Sequence, residues 1–72
     1  MVKLRFLGYY TEVVGAREVE IRVGRARVED VVRLPGVPRD EPIILVNGRP
    51  VGWCNEVTDT DVVVVMPPLG GG

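Results

Sequence analysis

The sequence predicts an α+β fold, a mixed sheet of four to five strands with one main helix across one face. Three observations carry that expectation. Val2-Lys3-Leu4-Arg5-Phe6 and Glu18-Val19-Glu20-Ile21-Arg22-Val23 alternate apolar and charged residues with the period of two that marks a half-buried strand. Val28, Val31 and Val32 instead follow the i, i+3, i+4 spacing of one helical face. The run Val62-Val63-Val64-Val65-Met66 is apolar at every position, as expected of a strand in the middle of a sheet.

In chain order, Val2, Leu4 and Phe6 of the first strand should face the core. Glu18 and Glu20 should lie near Lys3 and Arg5 on the outer side of an antiparallel pair, where opposite charges attract. Residues 8–15 between these strands are too many for a tight hairpin, and Thr11-Glu12-Val13-Val14 is expected to form a short helical turn closed by Gly15. The main helix should begin near Val28 after Arg27, which is not one of the usual capping residues, and stop at Pro35-Gly36. Its β-branched content is poor for an isolated helix, so packing onto the sheet must hold it. Residues 35–42, with three prolines, form a connecting loop.

Ile43-Ile44-Leu45-Val46 reads as a buried strand, and Asn47-Gly48 as a hairpin turn because both residues accept positive φ. In the short returning strand Arg49-Pro50-Val51-Gly52-Trp53, the proline and glycine mark an edge. Residues 58–61, Thr-Asp-Thr-Asp, are a polar turn before the last strand. The simplest right-handed arrangement sets the last strand parallel to and beside the first, with the helix over one face. That is a β-grasp fold, and the chain reads as a single domain over residues 1–72.

Composition narrows the function. A 72-residue chain has one small core and no room for a deep cleft between lobes. With no His, no Ser and a single Cys, zinc sites, Cys-His dyads and Ser-His-Asp triads are excluded. A net charge of −1 and a pI near 5.3 leave no basic footprint for nucleic acid. The longest apolar run, residues 62–68, is too short to span a bilayer. No signal peptide opens the chain, and the lone Cys54 fits a reducing compartment, so a cytoplasmic location is expected.

Asp59 and Asp61 are read as turn formers rather than a metal pair, Cys54 as inert, and Trp53, Tyr9 and Tyr10 as either packing residues or anchors for a partner. Eight arginines against the single Lys3 leave few amines through which the chain could itself be modified.

The most informative stretch is the end. The last strand runs into Pro67-Pro68-Leu69 and then Gly70-Gly71-Gly72. Prolines cannot extend the sheet and favour an extended exit, while glycines make the thinnest chain that can thread a narrow channel. Six residues from Pro67 onward reach about 20 Å when extended. Residues 69–72 are expected to be a flexible tail with the terminal carboxylate as its working group.

These residues resemble the MoaD/ThiS family of ubiquitin-like sulfur carriers, most closely its molybdopterin-synthase small-subunit branch. The resemblance spans nearly the whole chain: Glu12-Val13-Val14-Gly15, Val28-Glu29-Asp30-Val31 at the helix start, Val46-Asn47-Gly48 at the hairpin, and the closing signature from Thr58 through Gly72. The sequence departs from the family pattern at Thr60, where glycine is usual, and at Tyr9-Tyr10-Thr11, where an arginine commonly precedes the glutamate.

The resemblance implies a carrier that is not itself an enzyme and binds no cofactor. A ubiquitin-activating-type adenylyltransferase would use ATP to adenylate the carboxylate of Gly72, with Gly71 beside it, and a sulfur donor would convert the adenylate to a thiocarboxylate. The tail would then deliver sulfur to a molybdopterin synthase large subunit. Leu7, Met66, Pro67, Pro68, Leu69 and Gly70 are the implied partner-binding residues. Within the family, thiamine-thiazole synthesis, tRNA thiolation and conjugation to lysines remain open as alternatives. Outside it, the alternative is an unreactive ubiquitin-like binding module.

Overall fold

The structure, a computed structural model, describes residues 1–69. Its elements in order are β1 (Val2–Phe6), α1 (Tyr10–Val14), β2 (Glu18–Ile21), β3 (Arg25–Arg27), α2 (Val28–Val31), β4 (Ile43–Val46), β5 (Arg49–Val51), β6 (Glu56–Thr58) and β7 (Val62–Met66). Five strands form the main sheet in the order β2-β1-β7-β4-β5, and β3 pairs with β6 in a separate two-stranded sheet. Strand β7 lies parallel to β1 and antiparallel to β4, at the centre as its uniform apolar sequence predicts. No helix among the described residues is long and apolar enough to cross a membrane.

Alternation in β1 and β2 works as expected. Val2, Leu4 and Phe6 are buried, while Lys3 and Arg5 face outward opposite Glu20 and Glu18. Lys3 reaches diagonally to Glu18 at 3.3 Å. Helix α1 ends at Gly15, whose φ of 83° is the left-handed conformation that closes a helix. The β4–β5 hairpin turns at Asn47 and Gly48, with φ of 51° and 84°, and β5 is the sheet edge.

The expected main helix is a correction. Instead of one helix over the valines and Leu34, α2 is a single turn, and Val32 is already extended at φ −98° and ψ 115°. Three causes act together: closely spaced valines, a proline at 35 whose ring would clash with the Val31 carbonyl of a continued helix, and the cost of nucleating any helix. Loop carbonyls take the place of a capping side chain. Val28 N–H donates to the Asn55 carbonyl at 2.9 Å and Glu29 N–H to that of Trp53 at 3.0 Å. Asp30 accepts from the Arg27 N–H at 3.1 Å. Val28, Val31 and Val32 are nonetheless all buried, so the face survives although the helix does not continue.

The core lies on one side of the sheet. Val63 and Val65 of β7, Ile44 and Val46 of β4, and the inward residues of β1 meet Val28, Val31, Val32, Tyr10 and Val57. Val57 and Ala26 come from the small β3–β6 sheet, where alternation is too brief to read in sequence. Among the described residues, no element covers the other side of the main sheet. Ile43 and Val62 are exposed, and Leu45, Val64 and Met66 are half-buried. The expectation of a buried β4 therefore holds for one face only.

Candidate functional site

Strand register assembles an apolar strip on the uncovered face. Ile43 pairs with Met66, and Leu45 with Val64. Val64 in turn pairs with Arg5, and Val62 with Lys3. One step beyond the Phe6–Val65 pair, Leu7 comes beside Met66, and its N–H donates to the Val65 carbonyl at 3.0 Å. Leu7, Met66 and Ile43 thus form a row across three strands at the end of β7, with Val64 and Leu45 in the row behind. With Val62 as a third row, three strands and three rows measure roughly 10 by 14 Å. Lys3 and Arg5 border the strip on the β1 side.

Sequence reasoning singled out Leu7 and Met66, and the structure brings them together. It did not find Ile43, Leu45, Val62 and Val64, because an unbroken apolar run gives no sign of which face is left open.

The tail starts from this strip. Pro67 is half-buried, while Pro68 and Leu69 are exposed, Leu69 at 83 %. Pro67 packs against Gly8, which holds φ +59°; a Cβ on Gly8 would lie only 2.8 Å from the proline Cγ. Gly70, Gly71 and Gly72, the implied reactive end, lie outside the described residues.

Polar residues near the strip build the fold. Asp59 accepts from the N–H groups of Val23 and Gly24 at 2.8 and 2.9 Å, which holds its carboxyl below the usual range. Asp61 accepts from Thr58 N–H at 2.7 Å and from the Asn47 amide at 2.8 Å, with the same effect on its pKa. The Asn47 side-chain oxygen accepts from Val62 N–H at 2.9 Å, so the hairpin tip, the polar turn and the start of β7 are stitched together.

Tyr10 is fully buried, with its hydroxyl donating to Glu41 at 2.6 Å, and Tyr9 donates to the same carboxylate. Of the two readings left open for the aromatics, Tyr10 and Trp53 take the packing one. Trp53 is half-buried, donates to the Arg39 carbonyl at 2.6 Å and carries the Arg39 guanidinium 5.2 Å from its ring centre. Cys54 is exposed. No group of three or more His, Cys, Asp or Glu suited to a metal ion occurs among the described residues.

The model of the ThiS family matches residues 4–72. The chain belongs to the ThiS family. Its fold is that of SAMP1 from Haloferax volcanii, with a TM-score of 0.75 at 24 % identity over 99 % of this chain and 98 % of that one. The H. volcanii HVO 2177 protein aligns with a TM-score of 0.75 and 34 % identity, covering 99 % of this chain and 85 % of the other. A Pyrococcus furiosus protein assigned as molybdopterin converting factor, subunit 1, aligns with a TM-score of 0.68 and 33 % identity, covering 94 % and 97 %. This ThiS-family chain is therefore a ubiquitin-like β-grasp protein of the sulfur-carrier group.

Proposed function

We propose that this protein is a cytoplasmic sulfur carrier acting as the small subunit of a molybdopterin synthase. A ubiquitin-activating-type enzyme adenylates the Gly72 carboxylate: a carboxylate oxygen attacks the α-phosphorus of ATP, and pyrophosphate leaves. Sulfide-level sulfur supplied by a donor then attacks the acyl carbon as hydrosulfide; AMP leaves with the former carboxylate oxygen on its phosphate, a proton is released, and the end is a thiocarboxylate. The apolar strip around Leu7 and Met66 docks the large subunit, while residues 67–72 carry the sulfur into its pocket. The carrier supplies reach and recognition, and its partners supply the catalytic groups.

One observation carries this reading. The central strand ends at Met66 within an uncovered apolar row and passes directly into Pro67-Pro68-Leu69 and the glycines. The likeness at 33 % identity to the P. furiosus protein assigned as molybdopterin converting factor, subunit 1, supports the choice of branch. Because the matching family is ThiS itself, delivery to thiamine-thiazole synthesis is the second reading.

The test begins with ATP–pyrophosphate exchange by the source organism's activating enzyme. Exchange is expected with the native end and should vanish when one residue is added after Gly72, which displaces the carboxylate by about 3 Å. Unchanged exchange by the extended chain overturns the carrier reading. Intact-mass analysis should then show one oxygen replaced by sulfur. The thiocarboxylated protein is expected to form a one-to-one complex with the molybdopterin synthase large subunit; transfer to a thiazole synthase and not to that subunit selects the second reading.

A further inference from the structure

We infer that Gly8 is a positioning residue for the tail, acting through Pro67 to set the direction in which the chain leaves β7 before any partner binds. Prolines 67 and 68 have no N–H, so neither can donate a sheet hydrogen bond to guide this segment. The Leu7 N–H to Val65 carbonyl bond, 3.0 Å, joins the end of β1 to β7 just before the prolines. Beyond it, steric contact takes over.

Gly8 is held at φ +59°, and its carbonyl accepts from both the N–H and the hydroxyl of Thr11, at 3.2 and 3.0 Å. Its conformation is thus anchored by the first turn of α1. The space that a side chain would occupy is filled by the Pro67 ring, since a Cβ there would meet Cγ at 2.8 Å and Cδ at 3.2 Å. Gly15 and Gly24 also have positive φ, yet a Cβ at either meets nothing within 4 Å. Gly8 therefore differs from them by its contact, not by its backbone angle.

The functional consequence rests on the carrier reading above; the contact itself does not. A braced Pro67 aims the tail in advance, which reduces the ordering required when a partner channel accepts it. Adding a methyl at residue 8 pushes the ring aside and misaims the tail, while the reacting carboxylate keeps its chemistry. The effect should fall on KM for this protein as the substrate of its activating enzyme, with kcat nearly unchanged.

The experiment is a double-mutant cycle with Gly8→Ala, Pro67→Ala and their combination, with Gly15→Ala as the control for backbone strain. In the Pro67 background, Gly8→Ala is expected to raise KM about tenfold. In the Pro67→Ala background it should change KM by less than about twofold, and Gly15→Ala should do the same. An equal effect of Gly8→Ala in both backgrounds, or an equal effect of Gly15→Ala, overturns the proposal. If Gly8→Ala prevents folding, recovery of the fold by Pro67→Ala supports the contact and failure in both backgrounds overturns it.

Independently of activity, the unmodified protein should show nuclear Overhauser effects between the Gly8 Hα and Pro67 ring protons; their absence overturns the contact. Absence of exchange by the unmodified protein, with those effects present, removes the carrier reading and the functional half of this proposal while leaving the brace.

Discussion

Hydrogen bonds from backbone and phenol groups determine what single ionisable residues do here. Asp59 and Asp61 are pulled below the usual carboxylate range chiefly by the Val23 and Thr58 N–H groups respectively, and Glu41 chiefly by the Tyr10 hydroxyl. Tyr10 is displaced upward, first by burial and then by Glu41. Depressed carboxyls contribute stability that is present above their unfolded pKa, about 4, and lost as pH falls through the folded values. The raised phenol contributes stability that is present below its unfolded pKa, about 10, and lost as pH rises beyond it. Urea midpoints should therefore form a plateau through neutrality with a fall on each side. Tyr10→Phe is expected to flatten the alkaline fall and to cost about 1 kcal/mol at pH 7 through the lost hydrogen bond; Asp61→Asn should reduce the acid fall. Unaltered slopes in both variants would assign the pH dependence to other groups. Little of this was legible beforehand. Asp59 and Asp61 announce a turn by type, but the Tyr10–Glu41 pair is 31 residues apart in sequence and needs the fold to bring it together.

Among the elements, β7 shows most directly how one sequence serves two purposes. Val63 and Val65 are fully buried, while Val62 and Val64 point to the uncovered face. Val63→Ala is expected to cost about 2–3 kcal/mol, the lost transfer energy plus a residual cavity. Val62→Ala, 36 % exposed, should stay within about 0.5 kcal/mol. Chemical denaturation of the pair tests this; equal losses would mean that the outer face is packed as tightly as the inner. The strand's position and pairing followed from sequence because a run of β-branched residues fits the middle of a sheet. Its asymmetry did not, since hydrophobicity alone does not reveal which face another element covers. The same limit applies to α2, whose Val28 and Val31 point inward with Val32 just beyond them, as their spacing requires, although the helix stops after one turn. Strands β3 and β6, three residues each, are set by their pairing with one another and carry too little periodicity to be seen.

For the molecule as a whole, the radius of gyration is 11.4 Å, close to the value of about 11 Å for a compact chain of this length. A domain so small usually needs most of its apolar surface for its own core, so an uncovered apolar sheet face calls for an explanation. The carrier reading provides one, because a partner that covers the strip simultaneously receives the tail. Met66 sits where the two meet, paired with Ile43, beside Leu7 and directly before Pro67. Met66→Asp should leave the fold intact, since the side chain is only half-buried and faces away from the core. In a complex, however, it would place an unpaired charge in a desolvated interface, and binding should weaken by about 2 kcal/mol or more. Calorimetric titration against the acceptor subunit, with thermal melts of the free protein alongside, separates the two effects. Unfolding of the variant would place Met66 in the core. Undiminished affinity with an intact fold would move the docking surface off this face, leaving the tail as the whole of the recognition.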